Sequence, residues 1–586
     1  MGESVAQGSS WQCVIGRAAE AWAILAGIVL LAITAVTVIN VSGFAVDTLT
    51  RPFGIRVPGL SGYEEMVRLW VGPAAFMMLP YCQQKYGHVA VDFVIANAPA
   101  AVQKLIDLVS LVATLALALF LTYWMWAGMV DARRDGLISH LLGWQEWVYF
   151  IPGLISFLLW AAVILSLLAD MAAGRSPDHG VAGMSERELI GIGGLAALFI
   201  LISLRIPVAL AMVMVGIGGN FVLGEALPYL RFGPYLNQFK TLFWSTVANY
   251  ELSVVPLFIL MGFLATQSGV SRDLFHGLNA LVGRIRGGVA IASIGACAGF
   301  GAVCGSSLAT ASTMGQVALP ELRRLNYSPR LATGTLAAGG TLGILIPPSV
   351  ILVIYAILVE TSIIDMFRAA IIPGLIAVAL FVAVISVIVR LYPEAAPRAA
   401  VIAPDVRRRR IRRLIPVAVI FGAIILGLGL GIFTPTPAAG MGVFAMLVYG
   451  FFFKGSDGQG LNWPRLRAAL LSSAVASGMI YFILFGAEVF KGFITRSGLP
   501  ATLADWAAIS GFDPWIVLVL MLVLLIVLGC FMESLSMILV AVPFFWPVLI
   551  EINGGDFATA ATAAYGLGTE ELKIWFGIIA LVVVEL

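Results

Sequence analysis

The chain has 586 residues, of which 60% are hydrophobic and 11% charged, with a net charge of +2. Soluble domains carry about 25% charged residues, and the mean hydropathy here is +1.00, so a soluble fold is excluded and the chain is an all-α polytopic membrane protein. No basic face alternates with aromatics, which speaks against nucleic acid, and Cys13, Cys82, Cys297, Cys304 and Cys530 have unrelated spacings that indicate neither a disulfide framework nor a zinc site.

The first apolar run, 21–41, is longer than the apolar core of a signal peptide and predicts a retained transmembrane helix. Further runs of spanning length fall at 66–82, 104–129 and 146–169, which makes residues 1–170 a four-helix module. The stretch 171–187 is rich in Gly, Pro and charge and predicts a linker, with a larger domain over 188–586. Its apolar runs lie at 189–203, 206–224, 252–267, 289–318, 331–357, 366–390, 414–432, 438–453, 468–490, 514–530, 534–550 and 574–586. Two of them, 289–318 and 534–550, are candidate re-entrant hairpins.

Two neighbouring runs are interrupted. Cys304-Gly-Ser-Ser-Leu-Ala-Thr310 places small and hydroxyl residues inside one, and Gly339-Gly-Thr-Leu-Gly-Ile-Leu-Ile-Pro-Pro-Ser349 places a double proline inside the other. Irregular backbone at membrane depth is tolerated only where it is buried in protein or lines a cavity. Freed carbonyls and helix ends there suit an ion or an anionic solute. Helix packing through small residues is the competing reading, although packing alone does not favour Pro-Pro within a span.

The larger domain contains a diverged repeat. Phe258-Ile-Leu-Met-Gly262 matches Phe482-Ile-Leu-Phe-Gly486 at an offset of 224, and Gln267-Ser-Gly-Val270 matches Arg496-Ser-Gly-Leu499 at 229. Ser307 precedes Pro320, and Ser534 precedes Pro547, by the same 13 residues. Repeat one covers about 188–390 and repeat two about 414–586. Paired halves with interruptions in corresponding places point to a secondary transporter; chance likeness among Phe/Ile/Leu-rich segments is the alternative. Between the halves, Arg407-Arg-Arg-Arg-Ile-Arg-Arg413 abuts a span and marks the cytoplasmic side. Lys85, His88, Lys104 and Arg175 favour an N-terminus inside, and Arg133 and Arg134 count against it.

These residues resemble a TRAP (tripartite ATP-independent periplasmic) transporter with its small (Q) and large (M) permease components fused. Residues 15–170 are similar to the small component through Ser61-Gly-Tyr-Glu-Glu65 and Gly87-His-Val-Ala-Val-Asp92. The rest is similar to the large component through Leu204-Arg-Ile-Pro207, Val255-Pro-Leu-Phe258, Gly305-Ser-Ser-Leu-Ala-Thr310, Leu342-Gly-Ile-Leu-Ile-Pro-Pro-Ser349, Gly431-Ile-Phe-Thr-Pro-Thr436 and Glu533-Ser-Leu-Ser-Met-Ile-Leu539. The resemblance implies an inverted-repeat, elevator-type importer in the bacterial inner membrane. It implies a carboxylate or similar organic-acid substrate delivered by a periplasmic binding protein, with a sodium gradient as the energy source and no cofactor beyond Na⁺ as coupling ion. Two features depart from the family pattern. Pro437 stands where a Glu is usual, and the chain stops at Leu586 within an apolar run, about 30–50 residues short of a complete second half.

Sodium is a hard cation that takes oxygen ligands. The resemblance places a first sodium site on Gly305, Ser306, Ser307, Gly340, Thr341 and Gly343, with substrate at Ser307, Thr310, Pro347, Pro348 and Ser349. A second site on Glu533, Ser534, Ser536 and Met537 is expected to be incomplete. Glu533 lies inside an apolar segment, which makes it a functional candidate; capping its own hairpin's backbone is the structural alternative. Glu488 and Lys491 have the spacing of an (i, i+3) pair. Glu64, Glu65, Glu251, Glu360, Asp365 and Arg368 fit interfacial or scaffold roles. His88, His140, His179 and His276 fall in loops or at span ends, none near a second His, so no transition metal is expected. No Gly-x-x-x-x-Gly-Lys-Ser/Thr loop is present, so ATP is not a partner. A binding-protein-independent anion transporter, an inert scaffold and an intramembrane enzyme are the alternatives; the last needs a His/Asp/Glu constellation that the sequence does not show.

Overall fold

The computed structural model describes residues 10–50, 59–84, 100–171, 186–204, 206–226, 232–397, 403–453, 460–499, 513–529, 532–555, 558–560 and 563–585. The expected linker core at 172–185 lies outside them, as do Lys85, Gly87 to Asp92, His179, Arg205 and Cys530. Among the described residues the regular elements are helices, apart from one antiparallel bridge between Ile138 and Gln145. Nine of these helices are long and apolar enough to cross a membrane. The chain divides into two compact units: Met1–Ile33, Ser61–Ser253 and Ala474–Thr569 form one, and Thr34–Leu60, Val254–Ser473 and Glu570–Leu586 the other.

The first unit holds α2 (Tyr63–Gln84), α3 (Ala100–Arg134), α4 (Phe150–Met171), α5 (Glu186–Ser203), α6 (Val208–Ala226), α7 (Phe232–Asn237) and α8 (Phe239–Val247). The start of α1 (Ser10–Thr50) and the later part of α18 (Trp463–Ser497) also belong to it, with α19 (Pro514–Gly529) and α20 (Ser534–Asn553). Its core is aromatic. Phe76 stacks on Phe243 at 4.9 Å, Phe243 meets Phe485 edge-on at 4.3 Å, and Trp160 meets Phe482 edge-on at 5.3 Å. Indole N–H groups inside such a core need acceptors: Trp160 donates to Gln83 and Trp22 to Ser156. Residues from the predicted small module thus pack directly on α8 and α18, reinforced by the Lys240–Asp131 ion pair at 2.8 Å.

The second unit comprises α9 (Val254–Gln267), α10 (Val270–Val282), α11 (Gly288–Cys304), α12 (Ser307–Arg324), α13 (Pro329–Leu345), α14 (Val350–Leu358), α15 (Ile363–Leu391), α16 (Pro404–Gly429) and α17 (Pro435–Phe452), together with α21 (Thr569–Val584). Serine starts four of its helices. Ser306, Ser328, Ser349 and Ser362 each accept the N–H of the residue three further on, satisfying one of the orphan donors of the first turn. The unusual Pro437 falls in the first turn of α17, behind the N-cap Thr434, where a missing N–H costs no helical bond. Arg368 donates to the Gly429 carbonyl at the end of α16 and pairs with Asp365; a cation there complements the helix dipole.

The run 289–318, expected as a hairpin, is two helices, α11 and α12, that pack on each other and are joined by a break at Gly305 and Ser306. Three expectations shift. The segment 534–550 is a single continuous helix, α20, whose interruption lies before it at Met532 and Glu533. The span predicted from 414 begins at Pro404 and carries the whole arginine run as helix, since Arg is a good helix former. His276 lies inside α10 rather than in a loop or at a span end.

Candidate ion and substrate site

The interruptions in α11–α12 and α13–α14 face each other. α11 ends at Cys304, Gly305 takes a φ of +60°, and Ser306 caps α12 by accepting from Ala309 N at 3.4 Å. Gly305 needs its lack of Cβ twice over, for its left-handed backbone and for room: a Cβ there would lie 3.0 Å from Val350 N and 3.2 Å from the Pro348 carbonyl oxygen. Opposite it, α13 ends at Leu345, Ile346 is extended, and the Pro347–Pro348 peptide is cis. Ser349 then caps α14, whose axis is turned 43° from that of α13.

Proline carries no N–H. At 347 and 348 it therefore removes the donors that would bond, four residues back, to the carbonyls of Gly343 and Ile344. Two helix C-termini (Cys304, Leu345) and two N-termini (Ser307, Val350) converge at the same place. Each carries roughly half an elementary charge, negative at the C-termini and positive at the N-termini. The predicted first-site residues are all Gly, Ser, Thr or Pro, so the field they supply comes from backbone dipoles.

Close contact holds the two breaks together. A Cβ on Gly340 would lie 2.7 Å from Ala311 Cβ, and one on Gly343 would lie 2.6 Å from Thr310 Oγ1 and 2.7 Å from the Ser306 carbonyl oxygen. Gly305, Ser306, Ser307, Thr310, Gly340, Gly343 and Pro348 are thus brought against one another. Thr310 is fully buried, and its hydroxyl has no hydrogen-bond partner. Leaving a buried hydroxyl unpaired costs about 1–3 kcal/mol, which the fold bears unless something outside the protein pairs with it. Thr341, the other threonine expected at this site, donates to the Ala338 carbonyl of its own helix at 2.7 Å, which satisfies its proton and leaves its oxygen lone pairs available. Ser349 is buried and its hydroxyl is engaged as the cap of α14.

Sequence reasoning passed over Gly301, where a Cβ would lie 2.6 Å from Gly343 Cα. With Gly339, where a Cβ would lie 2.7 Å from Cys297 Sγ, it lets α11 touch α13, and its signal was the glycine spacing of Gly299-Phe-Gly301. Thr335, six residues before Thr341 on α13, was also passed over; it is buried with an unpartnered hydroxyl.

In the first unit, Glu533 is the N-cap residue of α20: its carbonyl accepts from Met537 N at 3.0 Å, while its side chain is exposed and makes no capping bond. Ser536 and Met537 are fully buried, and the Ser536 hydroxyl has no partner. An orphaned buried hydroxyl thus follows each break, Thr310 after that at Gly305 and Ser306 and Ser536 after that at Met532 and Glu533. The expected Glu488–Lys491 ion pair does not form; both side chains are half-buried on α18. Glu65 is engaged structurally, accepting the backbone N–H groups of His140, Leu141 and Leu142 at 2.7, 2.9 and 2.9 Å. Among the described residues no three His, Cys, Asp or Glu side chains gather as a metal cluster would require.

Many apolar helices, two interruptions locked tip to tip and the unpaired hydroxyl of Thr310 at their crossing are the features of a membrane transport protein. Residues 195–586 match the sequence model of the family described as "Tripartite ATP-independent periplasmic transporter, DctM component", and residues 41–174 match that of the DctQ component. The chain belongs to the tripartite ATP-independent periplasmic transporter family, with both permease components on one polypeptide. It is similar to the C4-dicarboxylate TRAP transporter large permease protein DctM of Pseudomonas aeruginosa, at 34% identity over 56% of this chain and 76% of that protein. It is similar also to the isethionate TRAP transporter permease protein DctMQ of Oleidesulfovibrio alaskensis, at 24% identity over 84% of this chain and 77% of that protein. The sialic acid TRAP transporter large permease protein SiaM of Vibrio cholerae is 32% identical over 52% of this chain and 69% of that protein. The chain is accordingly a multi-pass protein of the bacterial inner membrane and a secondary transporter of the organic-acid class, not an enzyme.

Proposed function

We propose that the chain imports an organic acid, a carboxylate such as a C4-dicarboxylate or a sugar acid, in symport with sodium, receiving it from a soluble periplasmic binding protein. In this reading residues 1–170 are the small component, 171–187 the linker and 188–586 the large component, and transport proceeds by an elevator movement. The observation that carries it is the fully buried, unpartnered hydroxyl of Thr310 at the crossing of two broken helices. A dehydrated alkali cation is held by carbonyl and hydroxyl oxygens, and the Gly343 and Ile344 carbonyls released by Pro347 and Pro348 supply them beside that hydroxyl. The N-termini of α12 and α14 suit the substrate's carboxylate. The relatives' named substrates, C4-dicarboxylate, isethionate and sialic acid, are all acids, which supports the same class here. Packing of the small-module residues on α8 and α18 supports a bracing role for that module.

The test is uptake of labelled acids into proteoliposomes containing the full-length protein, with a candidate periplasmic binding protein from the same organism added outside. Uptake that requires both an inward sodium gradient and the loaded binding protein is the expected result. Uptake of free acid without the binding protein overturns the delivery step, and equal uptake with potassium replacing sodium overturns the coupling.

A further inference from the structure

The second unit contains a basic cleft that the transport reading does not use. A cavity of about 510 Å³ lies between α10, α12 and the first turns of α16, walled by Arg272, Asp273, His276, Arg409, Arg410 and Arg413. A second cleft of about 400 Å³ shares Arg409 and Arg413 with it and opens onto Pro416, Tyr449 and Phe453. Four arginines face one aspartate in the larger cavity. That aspartate is already neutralised: Asp273 is buried, takes Arg413 at 3.5 Å and accepts the Tyr449 hydroxyl at 2.9 Å. The nearby Glu321 is engaged by both nitrogens of the Arg324 fork. Among the described residues the Arg409 and Arg410 side chains form no hydrogen bond or ion pair, and the buried Nδ1 of His276 has no partner. Burial, and after it Arg410 and Arg272, lower the pKa of His276 against the opposing pull of Glu321 and Asp273.

The cleft also sits at a defined depth. α16 carries the arginines in its first three turns and then presents Ile415, Val419 and Leu426 as exposed apolar residues. From Arg409 to Ile415 is six residues, roughly 9 Å along the helix, comparable with the headgroup layer, roughly 5–8 Å on each side of the hydrocarbon. Exposed Val406, Ile415 and Phe453 flank the arginines. A soluble phosphate has no use for such apolar flanks, whereas a lipid's glycerol and acyl chains do.

We infer that this cleft is a binding site for the phosphate of an anionic phospholipid in the cytoplasmic leaflet, held by Arg409 and Arg410 together with Arg272, with its acyl chains along the exposed apolar residues of α16. Guanidinium groups are suited to phosphate, and basic pockets at the cytoplasmic ends of membrane helices select acidic headgroups. The arginine run therefore does more than orient the chain.

The full-length protein is reconstituted in nanodiscs of phosphatidylethanolamine mixed with phosphatidylglycerol, and retained lipids are counted by native mass spectrometry. One phosphatidylglycerol kept about tenfold in preference to phosphatidylethanolamine is expected, and Arg409→Gln/Arg410→Gln should bring that preference close to unity. Arg286→Gln, outside the cleft, should leave it unchanged. No preference in the unmodified protein, or an unaltered preference in the double variant, overturns the proposal. Release of the lipid by millimolar inorganic phosphate overturns it too, since the ligand is then a soluble anion. Photoactivatable phosphatidylglycerol, which needs no variant, should crosslink near 406–416; crosslinks confined to other regions count equally against the site.

Discussion

Gly343 and Thr310 touch across the two interrupted helix systems: a single Cβ at 343 would stand 2.6 Å from the Thr310 hydroxyl oxygen and 2.7 Å from the carbonyl oxygen of Ser306. In the proposed sodium site, Gly343→Ala therefore pushes apart two of the oxygens that would hold the ion. Overpacking of this kind costs about 1–3 kcal/mol, which a membrane protein of this size should survive. The expected outcome is a folded protein whose half-saturating sodium concentration for uptake rises about tenfold or more. An alanine variant with unchanged sodium activation would remove this contact from the site.

Thr310→Val separates a ligand from a packing residue. The change replaces a buried, unpaired hydroxyl by a methyl, which for a purely structural residue is neutral or stabilising by about 1 kcal/mol. In sodium-free buffer the variant should melt at or slightly above the temperature of the unmodified protein. Added sodium should stabilise the unmodified protein by mass action and the variant little. Equal sodium-induced shifts in both would show that the hydroxyl is not a ligand.

Thr341→Ala provides the contrast. The Thr341 proton is already satisfied by the Ala338 carbonyl, so its loss should change the sodium dependence less than twofold, an expectation set by bonds of this local kind being worth about 1 kcal/mol or less. Measured beside Thr310→Val under the same uptake conditions, a larger loss at 341 than at 310 would reverse the assignment of the two threonines.

Where the backbone breaks was legible because its causes are local. Gly305 and Pro347-Pro348 interrupt helices through φ and a missing donor, and both properties belong to the residue itself. Which hydroxyl is left unpaired was not legible. Thr310 and Thr341 are the same residue type on similar helices, and only neighbouring packing decides which one finds a carbonyl. The same limit explains Glu488 and Lys491, whose spacing permits a pair without compelling it. Pro543 and Pro547 lie within the continuous α20, so a proline inside an apolar run did not by itself mark a hairpin's tip. Asp273 and Arg413 are joined by folding alone: they lie 140 residues apart on α10 and α16, and no spacing rule connects them.

That pair makes its own prediction. The Asp273 side chain is 1% exposed and Arg413 is 36% exposed, so removing the arginine takes a cationic partner from a buried carboxylate while leaving the Tyr449 hydroxyl in place. Breaking a buried pair from one side costs about 3–5 kcal/mol, more than the pair itself contributes. Arg413→Gln should lower the melting temperature markedly, whereas Arg413→Gln with Asp273→Asn should recover most of the loss. A double variant as unstable as the single one would show that the arginine acts through packing and not through the carboxylate.

Glu65 gives a pH-dependent prediction in the first unit. Burial raises its carboxyl pKa, but the backbone N–H groups of Leu142, Leu141 and His140 and the Ser139 hydroxyl more than offset this and hold it below the ordinary value of 4.5. A carboxyl depressed in the folded state binds its proton more readily when unfolded. Its stabilisation is therefore complete above the unfolded value and declines as pH falls from there toward the folded one. Glu65→Gln should loosen the 139–142 loop at pH 7, seen as faster amide hydrogen exchange at His140, Leu141 and Leu142. The cost should be about 1–3 kcal/mol, because the amide accepts at a single oxygen without charge. As pH falls through the lowered folded value, the carboxyl of the unmodified protein takes up its proton and the difference between the two proteins should shrink. An exchange difference that persists undiminished at acid pH would mean the loop is held by the side chain's shape and not by its charge.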